Sequence, residues 1–109
     1  SSELRVGDVI IHRRHLTVKR AGSPIELRKK EFELLELLME RPNQVMSKQQ
    51  IMDIVWGHGL DANESRVIDN HLCRLRAKLD GGYEKKYIST RRGAGYTFVN
   101  QKDEKRVFM

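Results

Sequence analysis

Cysteine is nearly missing from this chain: Cys73 is the only one in 109 residues. No internal disulfide can form, and a reducing, cytoplasmic setting is expected. Only Cys73 offers sulfur to a metal, and His12, His15 and His58 show no ligand spacing, so no metal and no cofactor is expected. Long apolar runs are missing too. Nothing approaches the roughly 18 residues of a membrane span or the core of a signal peptide, so no membrane partner is expected. Aromatic residues are scarce at 6%, which weakens any reading as an RNA binder that stacks bases on its surface. The chain opens Ser-Ser rather than with Met, so a longer parent protein is expected.

Charge, by contrast, is abundant. Charged residues make up 33% of the chain, and Lys plus Arg exceed Asp plus Glu by 21 to 15, for a net +6 and a pI near 9.7. The excess is uneven: residues 64–100 hold eight cations against four anions, whereas residues 42–63 hold one against two. A length near 100 residues implies one domain, and a clustered positive excess makes a polyanion a plausible partner.

The apolar pattern divides the chain. In residues 4–27, LRVGDVIIH, HLTVKRAG and SPIEL read as three or four short antiparallel strands punctuated by Gly7, Gly22 and Pro24. Alternation is clearest in His15–Lys19, where Leu16 and Val18 are expected to share a face. From Lys29 the period changes to helical: KKEFELLELLMER sets Phe32, Leu35 and Met39 on one face beside Leu34 and Leu38, and Pro42 stops it. Ser47 with Gln50 is a capping-box pattern opening a second helix, SKQQIMDIVWG, which ends at Gly57. A third helix is predicted over about 65–79, ended by Asp80-Gly81-Gly82. YIST and YTFVN around RRGAG then read as a β-hairpin.

The third helix carries an apolar stripe of Ile68, Leu72, Leu75 and Leu79 that must face a core. Its far side mixes Arg66, Val67, Asn70, Cys73, Arg74 and Ala77, with His71, Arg76 and Lys78 flanking. Most charged helix faces are only solvated. This one also suits a major groove, where Arg reads guanine, Asn reads adenine and Val meets a thymine methyl, while Arg66, His71 and Lys78 serve phosphates. A capped helix, a Gly-containing connection and this helix form a helix-turn-helix with a long turn. The hairpin tip Arg91-Arg92-Gly93-Ala94-Gly95 adds two cations that can reach a phosphate or a minor groove.

Catalytic chemistry finds no support. His71 and Cys73 diverge by about 200° on a helix and cannot act as a pair. Gly93-Ala94-Gly95 precedes a strand rather than a helix, unlike a nucleotide-binding loop. Trp56 reads as rim packing more readily than as a stacking platform. No enzyme is expected; the alternative to DNA reading is a different binding module whose basic helix meets an acidic protein.

Four segments in register, EFELLELLM (31–39), IMDIVWG (51–57), RVIDNHLCRLRAKL (66–79) and YISTRRGAGYTF (87–98), resemble the DNA-binding effector domain of OmpR/PhoB-type response regulators, over about Leu4 to Val99. The resemblance implies an α+β winged helix-turn-helix: a four-stranded antiparallel N-terminal sheet, three helices and a C-terminal β-hairpin wing. Residues 4–100 would be this domain, 1–3 a linker or remnant and 101–109 a tail. It implies sequence-specific binding of double-stranded DNA and transcriptional regulation as the output of a bacterial two-component phosphorelay. Helix 65–79 would enter the major groove with Val67, Asp69, Asn70 and Arg74 nearest the bases. Trp56, Arg66, His71, Thr90 and Tyr96 would meet the backbone, and Arg92, beside Arg91, the minor groove. Also implied are a homodimer on promoter repeats, an RNA polymerase contact through loop 57–65, and an upstream receiver domain addressed by a sensor kinase. The sequence departs from the family at Arg28, where a Ser or Thr usually caps the first helix, so the capping box with Glu31 is expected to be missing. Cys73 replaces a common Arg, and Arg91 returns a cation at the wing.

Overall fold

A computed structural model describes residues 2–57 and 65–100. Four strands, β1 (Glu3–Val6), β2 (Val9–His12), β3 (Thr17–Arg20) and β4 (Ser23–Ile25), form an antiparallel meander in that order. Helices α1 (Lys29–Met39), α2 (Lys48–Ile51) and α3 (Ser65–Asp80) follow, and strands β5 (Ile88–Arg91) and β6 (Gly95–Phe98) close the chain as a hairpin. This is the winged-helix arrangement, with the hairpin as the wing.

Period-2 burial holds in β2 and β3: Val9 and Ile11 are buried in one, Val18 and Arg20 in the other. The expected pairing of Leu16 with Val18 fails. Leu16 lies in the turn before β3 with a φ of +55° and is 55% exposed. The residue sharing Val18's buried face is instead a charged one, Arg20.

Helix α1 buries a broad apolar face, while Lys29, Glu33 and Glu36 stay at least partly exposed. Phe32, Leu34, Leu35, Leu37, Leu38 and Met39 are all buried, and the helix packs on α3, β6 and β1. Its start corrects the expectation of a missing cap. Arg28 has no hydroxyl to offer, but the Glu31 carboxylate still accepts the Arg28 backbone N–H at 2.9 Å. The half of the box that depends on Glu31 survives. At α2 the whole box is present, with Ser47 Oγ accepting from Gln50 N–H and Gln50 Oε1 from Ser47 N–H. The second helix is not uniform, however: after Ile51 it widens into a π-helical turn, Met52–Trp56, ended by Gly57 at φ +64°.

The predicted stripe of α3 is the core side of that helix: Ile68, Leu72, Leu75 and Leu79 are fully buried. The wing is joined to the segment before α2 by a backbone bridge, Met46 N–H to Tyr96 C=O at 2.8 Å and Tyr96 N–H to Met46 C=O at 2.9 Å. Gly95 permits it. Its φ is +140°, and a Cβ there would meet the Met46 carbonyl oxygen at 1.9 Å.

Arg20 ties the sheet to everything downstream. It is 1% exposed, and its guanidinium donates to Asp80 Oδ1 at 2.9 Å, to the Leu79 carbonyl at 2.8 Å and to the Lys85 carbonyl at 2.6 Å. Tyr83 and Tyr87 lie under it at 3.8 and 4.6 Å. Asp80 in turn accepts the backbone N–H groups of Tyr87 and Ile88, fixing the entry to β5. Arg20 also places its charge at the negative end of α3. Removing one partner of a buried pair strands the other, so Arg20→Met is expected to cost about 3–5 kcal/mol in urea unfolding. Arg20→Met with Asp80→Asn should recover part of that loss.

Candidate nucleic-acid interface

Helix α3 leaves Arg66, Asn70, Cys73, Arg74 and Ala77 exposed and Val67 half-buried, opposite its core stripe. Asn70 and Arg74 are one turn apart and so share a line along the helix. At the N-terminal half of α3 the rings of Trp56 and His71 meet edge to face at 5.2 Å. His71 Nδ1 lies 2.7 Å from the Val67 carbonyl, which can only accept, so this nitrogen carries the proton. Lys30 reaches the same corner, donating to the Val55 carbonyl at 2.9 Å. Two positions far apart in sequence, Trp56 and His71, thus form one surface feature.

Between α3 and the wing lies an open cleft of about 570 Å³, lined among others by Lys48, Asp69, Thr90, Arg91, Arg92 and Tyr96. Arg91 pairs with Gly95 across the wing, leaving Arg92, Gly93 and Ala94 as the tip. Ala94 N–H closes the turn on the Arg91 carbonyl at 2.9 Å. Gly93, at φ +77°, holds the third turn position, where a positive φ is needed. Both arginines stand exposed as a result.

The cleft floor is a locked triad. Tyr96 Oη donates to Asp69 Oδ1 at 2.7 Å, and Lys48 Nζ donates to Asp69 Oδ2 at 3.0 Å. Burial raises the Asp69 carboxyl's affinity for a proton, but the Tyr96 and Lys48 hydrogen bonds outweigh it and hold the group below the usual carboxylate range. The same burial and bond push Tyr96 up to about 12. Arg76 donates to Thr90 Oγ1 and sits over the Tyr96 ring at 5.9 Å. Asp69, Thr90 and Tyr96 therefore have partners within the domain.

Lys78 stays exposed along its length but ends on a buried acid. Its ammonium donates at 2.7 Å to Glu31, a carboxylate with no solvent exposure. Sequence reasoning missed Glu31, Lys48 and Arg76 as members of this surface. Lys48 had a signal, being the single cation of residues 42–63. Glu31 had none beyond its capping position, because only tertiary packing brings α1 against α3. Loop 57–65 lies largely outside the described residues. Among the described residues there is no group of His, Cys, Asp and Glu arranged to hold a metal, and no helix long and apolar enough to cross a membrane.

A helix with Arg and Asn exposed and a half-buried Val on one side, flanked by a hairpin that displays two arginines, defines a winged-helix domain of the DNA-binding type. Comparison with known proteins makes the assignment specific. Residues 22–98 match the family model described as "Transcriptional regulatory protein, C terminal". The chain belongs to this family, as a DNA-binding effector domain of OmpR/PhoB-type response regulators. It is 41% identical over 97 residues to the phosphate regulon transcriptional regulatory protein PhoB of Rhizobium meliloti, covering 89% of this chain and 42% of that protein. The chain thus spans less than half the length of that relative. The DNA-binding domain of CpxR from E. coli superimposes with a TM-score of 0.78 at 32% identity, covering 92% of this chain and 98% of that one. The RstA DNA-binding domain of Klebsiella pneumoniae, solved in complex with the RstA box, does so with 0.77 at 26% identity, covering 92% and 99%.

The Asp69 pKa lies lower in the folded than in the unfolded chain, so its contribution to stability is full above about pH 4, the ordinary Asp value. It is lost as pH falls through the folded value. The stability gap between the wild type and Asp69→Asn should accordingly close in acid unfolding experiments. Tyr96 has the opposite sign: its contribution is full below about pH 10, the ordinary Tyr value, and lost as pH rises through its folded value of about 12. Phenolate absorbance should show a late-titrating component that is lost in Tyr96→Phe.

Proposed function

We propose that this domain reads double-stranded DNA with α3 in the major groove and the wing in the adjacent minor groove. The observation that carries the reading is the placement of Arg66, Asn70 and Arg74 on one exposed helix side, beside a cleft bounded by Lys48 and the two wing arginines. Such a cleft matches a sugar–phosphate strand passing between the grooves, with base-reading groups on one side and minor-groove cations on the other. Val67, Asn70 and Arg74 are the base-facing residues. Asp69, with both oxygens engaged by Lys48 and Tyr96, acts by holding helix and wing in register. Trp56, Arg66, His71, Thr90 and Tyr96 border the backbone, and Arg92, assisted by Arg91, enters the minor groove.

The domain then serves as the output module of a longer two-component response regulator, with residues 4–100 as the binding unit behind a receiver domain. Binding as a homodimer to repeated half-sites roughly 10–11 bp apart follows from one turn of duplex separating equivalent grooves. Contact with RNA polymerase through loop 57–65 belongs to the same proposal.

Selection from randomised duplexes at near-physiological salt tests the reading, and an enriched motif repeated at one-turn spacing is the expected result. Binding without enrichment that vanishes as salt rises would reduce it to charge attraction. Arg74→Ala is expected to lose about 1–3 kcal/mol and relax preference at one base pair. Arg92→Ala should weaken binding with little change of consensus; unchanged affinity would refute the minor-groove role.

A further inference from the structure

Glu31 is fully buried, yet only one of its two oxygens is hydrogen-bonded. Oε1 accepts both the Arg28 N–H at 2.9 Å and the Lys78 ammonium at 2.7 Å. Oε2 accepts no hydrogen bond among the described residues, and Arg74 Nε lies 3.7 Å from it. Arg74 and Lys78 are one helical turn apart, so a single carboxylate faces both. Their side chains remain 45% and 35% exposed, so each reaches outward from a buried anchor.

We infer that Glu31 is a positioning residue for DNA reading: its Oε2, ion-paired with the Nε edge of Arg74 at 3.7 Å without a hydrogen bond, biases that edge inward and so directs the two Nη groups outward as a fork. This rests on the reading of Arg74 as a base-contacting residue. The guanidinium is a rigid plane, so fixing the Nε edge also fixes the direction of the far end, and guanine presents two acceptors that match two donors side by side. An arginine restrained beforehand loses less rotamer freedom on binding. The division of labour on Glu31 follows from the geometry. Lys78 takes the short bond and compensates the buried charge, while the longer contact to Arg74 leaves it free to adjust to a base. Burial alone would raise the Glu31 carboxyl pKa, but the Lys78 and Arg28 bonds hold it below the usual range, so it stays ionised at neutral pH. Three cationic side chains, Arg28, Arg74 and Lys78, surround this one carboxylate, so the face stays attractive to DNA.

The test compares the wild type, Arg74→Ala, Glu31→Gln and the double variant on duplexes of the selected site changed one base pair at a time. Arg74→Ala should relax one position. Glu31→Gln keeps an acceptor for the Arg28 N–H but loses the charge, and it should relax the same position by roughly fivefold, the lower end of a bidentate contact's worth. It should leave the salt dependence unchanged and add nothing in the double variant. Uniformly altered binding with intact selectivity would overturn the inference while leaving Arg74 as a reader. Failure of Arg74→Ala to relax any position would instead overturn the base-reading role itself, and the inference with it. A measurement on the wild type needs no variant to fold: the Arg74 Nε–H group of the free domain should show a higher ¹⁵N order parameter than that of exposed Arg66. Equal order parameters for the two would overturn the anchoring.

Discussion

The ion pair between Arg20 and Asp80 is the constraint on which the rest of the domain depends. It lies where the sheet, the end of α3 and the start of the wing converge, and both partners are buried. Taking a guanidinium out of water is costly unless it is paired, and here a carboxylate and two backbone carbonyls meet both Nη groups while two tyrosine rings lie against it. Its Nε has no hydrogen-bond partner among the described residues, with Asp8 Oδ1 3.7 Å away. The consequence is geometric. Asp80 cannot leave its place without stranding Arg20, and the backbone of Tyr87 and Ile88 is bound to Asp80. The wing strand therefore starts from a fixed point relative to α3.

A second lock completes that placement from the other end of the helix. Tyr96 on the wing and Lys48 on α2 hold opposite oxygens of Asp69 on α3, and the Met46 bridge ties the same wing strand to the segment ahead of α2. Helix and wing are thus connected at both ends of their shared edge. For a DNA-binding domain, this fixes the placement of the wing relative to α3 before any partner arrives. A misplaced wing would have to be reordered at the moment of binding, at a cost in affinity.

Charge on this molecule divides by depth rather than by sign. Arg66, Arg91 and Arg92 remain exposed and available to a polyanion. Lys78, Arg20 and Lys48 are drawn onto carboxylates of other elements. A net charge counted along the sequence therefore overstates the cations free for a polyanion.

The residues alone determined the order of elements, the apolar stripe of α3, the Ser47 cap and the turn at Gly93, because each is written in local periodicity or backbone chemistry within a few positions. The surface of α3 was legible for the same reason, since a helix fixes which side chains share a side. Local pattern could not show that Leu16 leaves the sheet or that Arg20 enters the core, since a charged residue is buried only when a distant partner such as Asp80 meets it. Nor could it show that Asp69 and Lys78 are paired with side chains of other elements, or that Glu31 underlies Arg74. Those facts belong to the tertiary structure alone, because they depend on which side chains from separate elements come within hydrogen-bonding distance, and spacing within one element carries no information about that.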